Sequence, residues 1–183
     1  MDASLPFNSQ YIPDFLSTEK AAQYKEFCDA SPVHCYGYRG TQLKRAPKTE
    51  WYLDEPVLYR WGQHKEEYKS GQPMPPLLVE LTHKIHARFG ERPNHAIMIR
   101  YSHGTNHFAP LHKDKQEGVD GPGAKDMTAG TSFYAFSFGT PRAFHLVDSE
   151  GVVVFNEALP QGSLLAVDAE TNKHYKHAIP KDK

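Results

Sequence analysis

From residue 94 onward the chain breaks into short extended pieces, and this limits its folds more than any other feature. Ala96-Ile97-Met98-Ile99-Arg100-Tyr101 reads as a buried strand. Ser132-Phe133-Tyr134-Ala135-Phe136-Ser137-Phe138 alternates apolar and small residues and stops at Gly139. Residues 143–147, 152–155, 163–167 and 174–179 are further short strands, divided by Gly, Pro, Asp and Asn. Many short strands at this spacing suggest a sandwich or barrel. The first half has a different period. Ser17 or Thr18 can cap a helix running through Ala21, Tyr24, Phe27 and Cys28, whose spacing gives one buried stripe. After Pro75-Pro76, the positions of Leu77, Leu78, Leu81, Ile85 and Phe89 predict a second helix, ended by Gly90. Helices first and strands later imply an α+β arrangement, with helices covering one sheet.

The 183 residues suit one domain with a sizeable core. Within it, residues 1–93 hold the helices and residues 94–180 the strands. Residues 32–73, rich in Pro, Gly, Tyr and Trp, promise only short extended pieces. Residues 115–131, with four glycines and a proline, read as a long loop. A net charge of −1 argues against a protein that coats nucleic acid by bulk charge. One local basic run remains: Arg39, Lys44, Arg45 and Lys48, with no acid between them. Two cysteines, Cys28 and Cys35, are too few for a disulfide framework and lack the pairs of a zinc site, so a reducing compartment fits. The amino terminus has neither the basic nor the apolar part of a signal peptide, and no apolar run is long enough to span a membrane. Nucleus or cytoplasm is the expected location.

The chemistry concentrates around Leu111-His112-Lys113-Asp114-Lys115. On a strand or its immediate exit, residues two apart point to the same side, so His112 and Asp114 present an imidazole and a carboxylate together. A second histidine from a distant strand would complete two His and one carboxylate on one face of an iron(II), leaving positions open for oxygen chemistry. His177, in Tyr175-Lys176-His177-Ala178-Ile179-Pro180, is the candidate. With 11 histidines in the chain, a His-x-Asp alone carries little weight.

The ordered series carries more. Ile99-Arg100-Tyr101 with Gly104 is followed by His107 and by Leu111 to Lys115. Then come Phe136-Ser137-Phe138-Gly139-Thr140-Pro141-Arg142-Ala143-Phe144, Gly162-Ser163-Leu164-Leu165 and His177-Ala178-Ile179-Pro180. This series resembles the AlkB-type iron(II)/2-oxoglutarate dioxygenases, and among them the demethylases that repair alkylated DNA or RNA. The likeness runs over about residues 43–180. It implies a double-stranded β-helix, or jelly-roll, core.

By that resemblance His112, Asp114 and His177 hold Fe(II), and Tyr101 helps to hold 2-oxoglutarate. His107 stands behind the ligands. Trp61, with Tyr59 and Trp51, stacks the modified base, which such enzymes take out of the helix. Arg45 and Lys48, with Arg39 and Lys44, contact phosphates. Arg142 lines the site or pairs with an acid. There are two departures. The family often has an asparagine where this chain has Ile99, and an aliphatic side chain cannot hydrogen-bond. The family also carries an arginine beyond the last histidine for the distal carboxylate of the oxoacid, and residues 178–183 contain none. The implied activity is oxidative demethylation of alkylated nucleic-acid bases: an N-alkyl group is hydroxylated, releasing an aldehyde and succinate. The implied partner is alkylated DNA or RNA, met by a monomer. The alternatives are a 2-oxoglutarate oxygenase acting on a protein, lipid or small molecule, and a non-catalytic AlkB-like binding module.

Overall fold

Residues Gln10–Ile12 form strand β1, and the chain then turns into helix α1, Thr18–Ala30. Ser17 caps α1 as its sequence suggests, accepting a hydrogen bond from the Lys20 N–H at 3.3 Å. Six elements follow: β2 (Lys48–Tyr52), β3 (Leu58–Tyr59), β4 (Tyr68–Lys69), β5 (Gln72–Pro73), α2 (Pro76–Phe89) and β6 (His95–Ile99). Pro76 opens α2, where its fixed φ and missing N–H do no harm. Gly90 closes α2 in the left-handed conformation, φ 76°. The remainder is β7 (Ala109–His112), β8 (Phe133–Phe136), β9 (Arg142–Val147), β10 (Val153–Leu159), β11 (Leu164–Val167), α3 (Ala169–His174) and β12 (Lys176–Ile179). This computed structural model describes residues 5–33, 46–55, 58–59, 68–69, 72–105, 107–114 and 131–181, with 58, 59, 68 and 69 as backbone alone. Among the described residues, no helix is long and apolar enough to cross a membrane.

The chain forms two compact units. One contains residues 1–31, 37–46 and 101–183, and the other residues 32–36 and 47–100. The first unit has two antiparallel sheets, of order β1-β11-β8 and β10-β9-β12-β7. Side chains from both sheets share one core: Phe144 and Leu146 from β9, Phe155 and Leu159 from β10, Leu165 and Val167 from β11. Each such side chain, fully buried, contributes about 1.5–3 kcal/mol. α1 packs on the turn before β11. Tyr24 stacks on Phe138 with ring centroids 5.6 Å apart, and the Leu16 N–H donates to the Gly162 carbonyl at 3.0 Å. Gly162 has φ 83°, and a Cβ there would lie 3.0 Å from the Ala21 Cβ and 3.3 Å from the Leu16 carbonyl oxygen. Both its backbone conformation and its close approach require glycine.

The second unit contains the sheet β5-β2-β6 and the pair β3-β4, and α2 buries Leu78, Leu81, Thr82 and Ile85. Its β2 carries a buried polar group. The Lys48 ammonium meets the Glu50 carboxylate, and His95 Nε2 lies 3.7 Å from Glu50 Oε2. Burial alone raises the Glu50 pKa, but His95 and Lys48 more than reverse this and hold it below the usual carboxylate value.

Two stretches differ from the sequence reading. The strand expected over 174–179 begins only at Lys176, because α3 occupies the residues before it. Asp168 starts α3 by accepting the Thr171 N–H at 2.7 Å. β10 runs on to Leu159, past the expected end at 155. β2, five residues long, is one of the short extended pieces expected over 32–73.

Candidate metal centre

β7 and β12 are neighbours in one sheet, and their antiparallel register sets His112 directly opposite His177. Directly opposed side chains lie on the same face, so the two imidazoles meet, with ring centroids 4.2 Å apart. Asp114, two residues beyond His112, comes back to that face. Its Oδ1 is 3.6 Å from His112 Nε2 and 3.8 Å from His177 Nε2. One ligand atom from each of the three residues lies within 4.8 Å of the other two. Among the described residues this is the one such cluster of metal-binding side chains.

The surroundings of these atoms suit a bound cation. His112 Nδ1 lies 2.6 Å from the Pro110 carbonyl. A proton on Nδ1 donates there, which leaves the Nε2 lone pair facing Asp114. His177 is 6 % exposed. Its ring lies nearly parallel to Phe144 at 5.6 Å and tilted against Phe133 at 4.7 Å. Burial, with a smaller push from His112, depresses the His177 pKa to about 3, so the ring is neutral at pH 7 and keeps its lone pair. Its Nδ1 is buried with no hydrogen-bond partner among the described residues. Burial raises the Asp114 carboxyl above its ordinary value, against the opposing influence of His112. A divalent cation would offset that burial cost and favour the carboxylate. Two imidazoles and one carboxylate fit an iron(II), and three protein ligands leave positions open on it.

A family model described as the 2OG-Fe(II) oxygenase superfamily matches residues 8–183. The chain belongs to that superfamily. Human "DNA oxidative demethylase ALKBH2" is 28 % identical over 119 residues, which are 61 % of this chain and 42 % of that protein. The match therefore spans less than half of that relative's length. The solved chain of "The structure of OsALKBH1" superposes with a TM-score of 0.67 at 15 % identity, covering 98 % of this chain and 88 % of that one. The fold is thus the jelly-roll of the AlkB-type 2OG-Fe(II) oxygenases, in an α+β setting. Fe(II) and 2-oxoglutarate are the cofactors of the superfamily.

Other residues singled out in the sequence have varied places in the structure. Tyr101 is largely buried. Burial pushes its phenol up to about 12 despite the Arg142 guanidinium, which lies 5.3 Å above the ring. The phenol is therefore protonated at neutral pH and is a hydrogen-bond donor. Arg142 Nη2 donates to the His107 carbonyl at 2.7 Å and the Pro180 carbonyl at 2.8 Å. His107 Nδ1 in turn accepts the Ser102 N–H at 3.2 Å. Arg142 thus ties together the segments before β7 and after β12. Ile99 ends β6 with its side chain partly exposed.

The substrate candidates are less visible. Trp61, Arg39, Lys44 and Arg45 lie outside the described residues, as do residues 115–130 of the long loop. Tyr59 is described only by its backbone, which pairs with Tyr68. Trp51 is buried in β2. Lys48, expected at a phosphate, is 8 % exposed and its ammonium rests on Glu50. The sequence reading missed Asn172, which bonds the backbone of Asp114, and the two phenylalanines that wall in His177. Phe144 was visible as part of the motif at 136–144. Asn172 stood in a short polar run with no period to mark it.

Proposed function

We propose that this protein is an Fe(II)/2-oxoglutarate-dependent oxidative demethylase of alkylated nucleic-acid bases. The observation that carries the proposal is the convergence of His112, Asp114 and His177 within one cluster. The family supplies the reaction type, and the human relative named as a DNA oxidative demethylase supports the substrate class. With bound iron, 2-oxoglutarate and O₂, such a site hydroxylates a substrate carbon and forms succinate and carbon dioxide. On an N-alkyl group, the product falls apart to an aldehyde and the free base.

The chain's own residues contribute position and environment. His112 and His177 would offer ring nitrogens, and Asp114 the charge. Phe133 and Phe144 keep water from one side of His177. Tyr101 would donate a hydrogen bond to the oxoacid. Trp61, with Tyr59, would stack the extruded base, at about 1–3 kcal/mol for a stacked base. Arg45 would contact a phosphate, and Lys48 would do so on leaving Glu50. No acid–base pair is needed in the central step.

The test supplies the protein with Fe(II), 2-oxoglutarate and an N-methylated oligonucleotide, and measures succinate and formaldehyde. Equal yields of both, dependent on the methylated strand and lost in His112→Ala, are expected. Succinate release that ignores the oligonucleotide would instead place the substrate among proteins, lipids or small molecules.

A further inference from the structure

Asn172, on α3, is only 1 % exposed, and its amide is directed at one metal-ligand candidate. The Asp114 N–H donates to Asn172 Oδ1 at 3.1 Å. Asn172 Nδ2 donates to the Asp114 carbonyl at 2.8 Å and to the Thr131 carbonyl at 3.0 Å. Asp114 lies beyond the last ladder position of β7, which is His112. A side-chain amide has the same donor and acceptor as a peptide unit, so Asn172 stands in for a neighbouring strand at this point.

The helix that presents Asn172 is itself anchored. Thr171, fully buried, donates to the Pro6 carbonyl at 3.0 Å and accepts from Ser9 Oγ at 2.8 Å. The Asn8 N–H donates to Asp168 Oδ2 at 2.7 Å, and the Asp168 N–H to Ser9 Oγ at 3.1 Å. On the other side, Lys113 Nζ donates to the Lys173 carbonyl. Residues 113 and 114 are thus both held to α3, and α3 is held to the segment before β1.

We propose that Asn172 is a positioning residue of the metal centre: it fixes the Asp114 carboxylate toward His112 and His177, and holds residues 114 and 131 together. The carboxylate can swing only as far as its backbone allows, and two of the three bonds made by the Asn172 amide fix that backbone. This rests on the metal-centre reading above.

The experiment titrates the full chain with Co(II), which replaces Fe(II) without oxidising, and follows visible absorption and affinity. Four proteins are compared: wild type, Asn172→Ala, Asn172→Asp and Thr171→Val. Asn172→Asp keeps the shape but sets an anion against two carbonyl oxygens. Thr171→Val loosens α3 while leaving the Asp114 bonds in place. Both Asn172 variants are expected to bind Co(II) about 10–100-fold more weakly with an altered spectrum. Thr171→Val is expected to lower Tm and leave affinity and spectrum unchanged. Folded Asn172 variants with wild-type affinity and spectrum overturn the proposal, and so does an equal loss in Thr171→Val. If neither Asn172 variant folds, amide exchange in wild type decides: Co(II) should slow exchange at Asp114, and no change there overturns the proposal. Wild type that binds no Co(II) overturns the metal centre itself, whereas wild-type binding with unaffected variants overturns the clamp alone.

Discussion

Lowering the pH from 7 to 5 is expected to destabilise the metal-free protein by about 2 kcal/mol through His177 alone. The folded ring has a pKa of about 3, against 6.5 for an ordinary histidine, because burial against Phe133 and Phe144 excludes the charged form. Between those values the unfolded chain takes up a proton that the folded chain refuses. Stability must therefore fall as pH falls, by about 1.4 kcal/mol per pH unit, beginning near 6.5 and ending near 3. Over the 1.5 units from 6.5 to 5 this gives the figure above. Asp114 acts in the opposite sense, because its folded pKa is raised and its protonation favours the folded state. It is present in both wild type and His177→Gln, so their difference isolates the histidine. The assay is urea unfolding of both metal-free proteins at pH 7, 6 and 5. His177→Gln is expected to lose the steep decline, whatever its absolute stability. The same pH slope in both proteins would refute the reasoning.

Removing Tyr101's hydroxyl by Tyr101→Phe is expected to raise the KM for 2-oxoglutarate about 2–10-fold, the worth of one hydrogen bond, with little change in Tm; steady-state kinetics read this. Gly162→Ala is expected to cost about 1–3 kcal/mol in a urea midpoint, because residue 162 has φ 83° and its new Cβ would press on Ala21 and Leu16. A chelator is expected to lower the Tm of metal-loaded protein, and restored Fe(II) or Co(II) to raise it again, since a ligand that binds only the folded state stabilises it.

The parts of the fold legible in the sequence are those with a local cause. Ser17 and Gly90 mark helix ends because caps are chosen by short-range hydrogen bonds and by φ. The strands around Ile97, Phe133 and Leu146 show themselves by β-rich runs between turn residues. The meeting of His112 with Asp114 follows from two-residue spacing. Their meeting with His177 does not, since it depends on the register of β12 against β7: the sequence and the family resemblance could name that histidine as a candidate but not set the register. α3 was missed because its six residues are under two turns and leave no periodic stripe. The burial and pairing of Lys48 were not expected because the basic run was read without Glu50. The two lie two residues apart on β2, so they share a face and pair there. Asn172 had no signal, because its partners Asp114 and Thr131 are 58 and 41 residues away.

The most direct test of the metal centre is anomalous diffraction from crystals of the protein loaded with Co(II). One peak is expected at bonding distance, about 2.0–2.2 Å, from His112 Nε2, Asp114 Oδ1 and His177 Nε2 together. A peak elsewhere, or none while the His177 ring faces away from Asp114, would contradict the account.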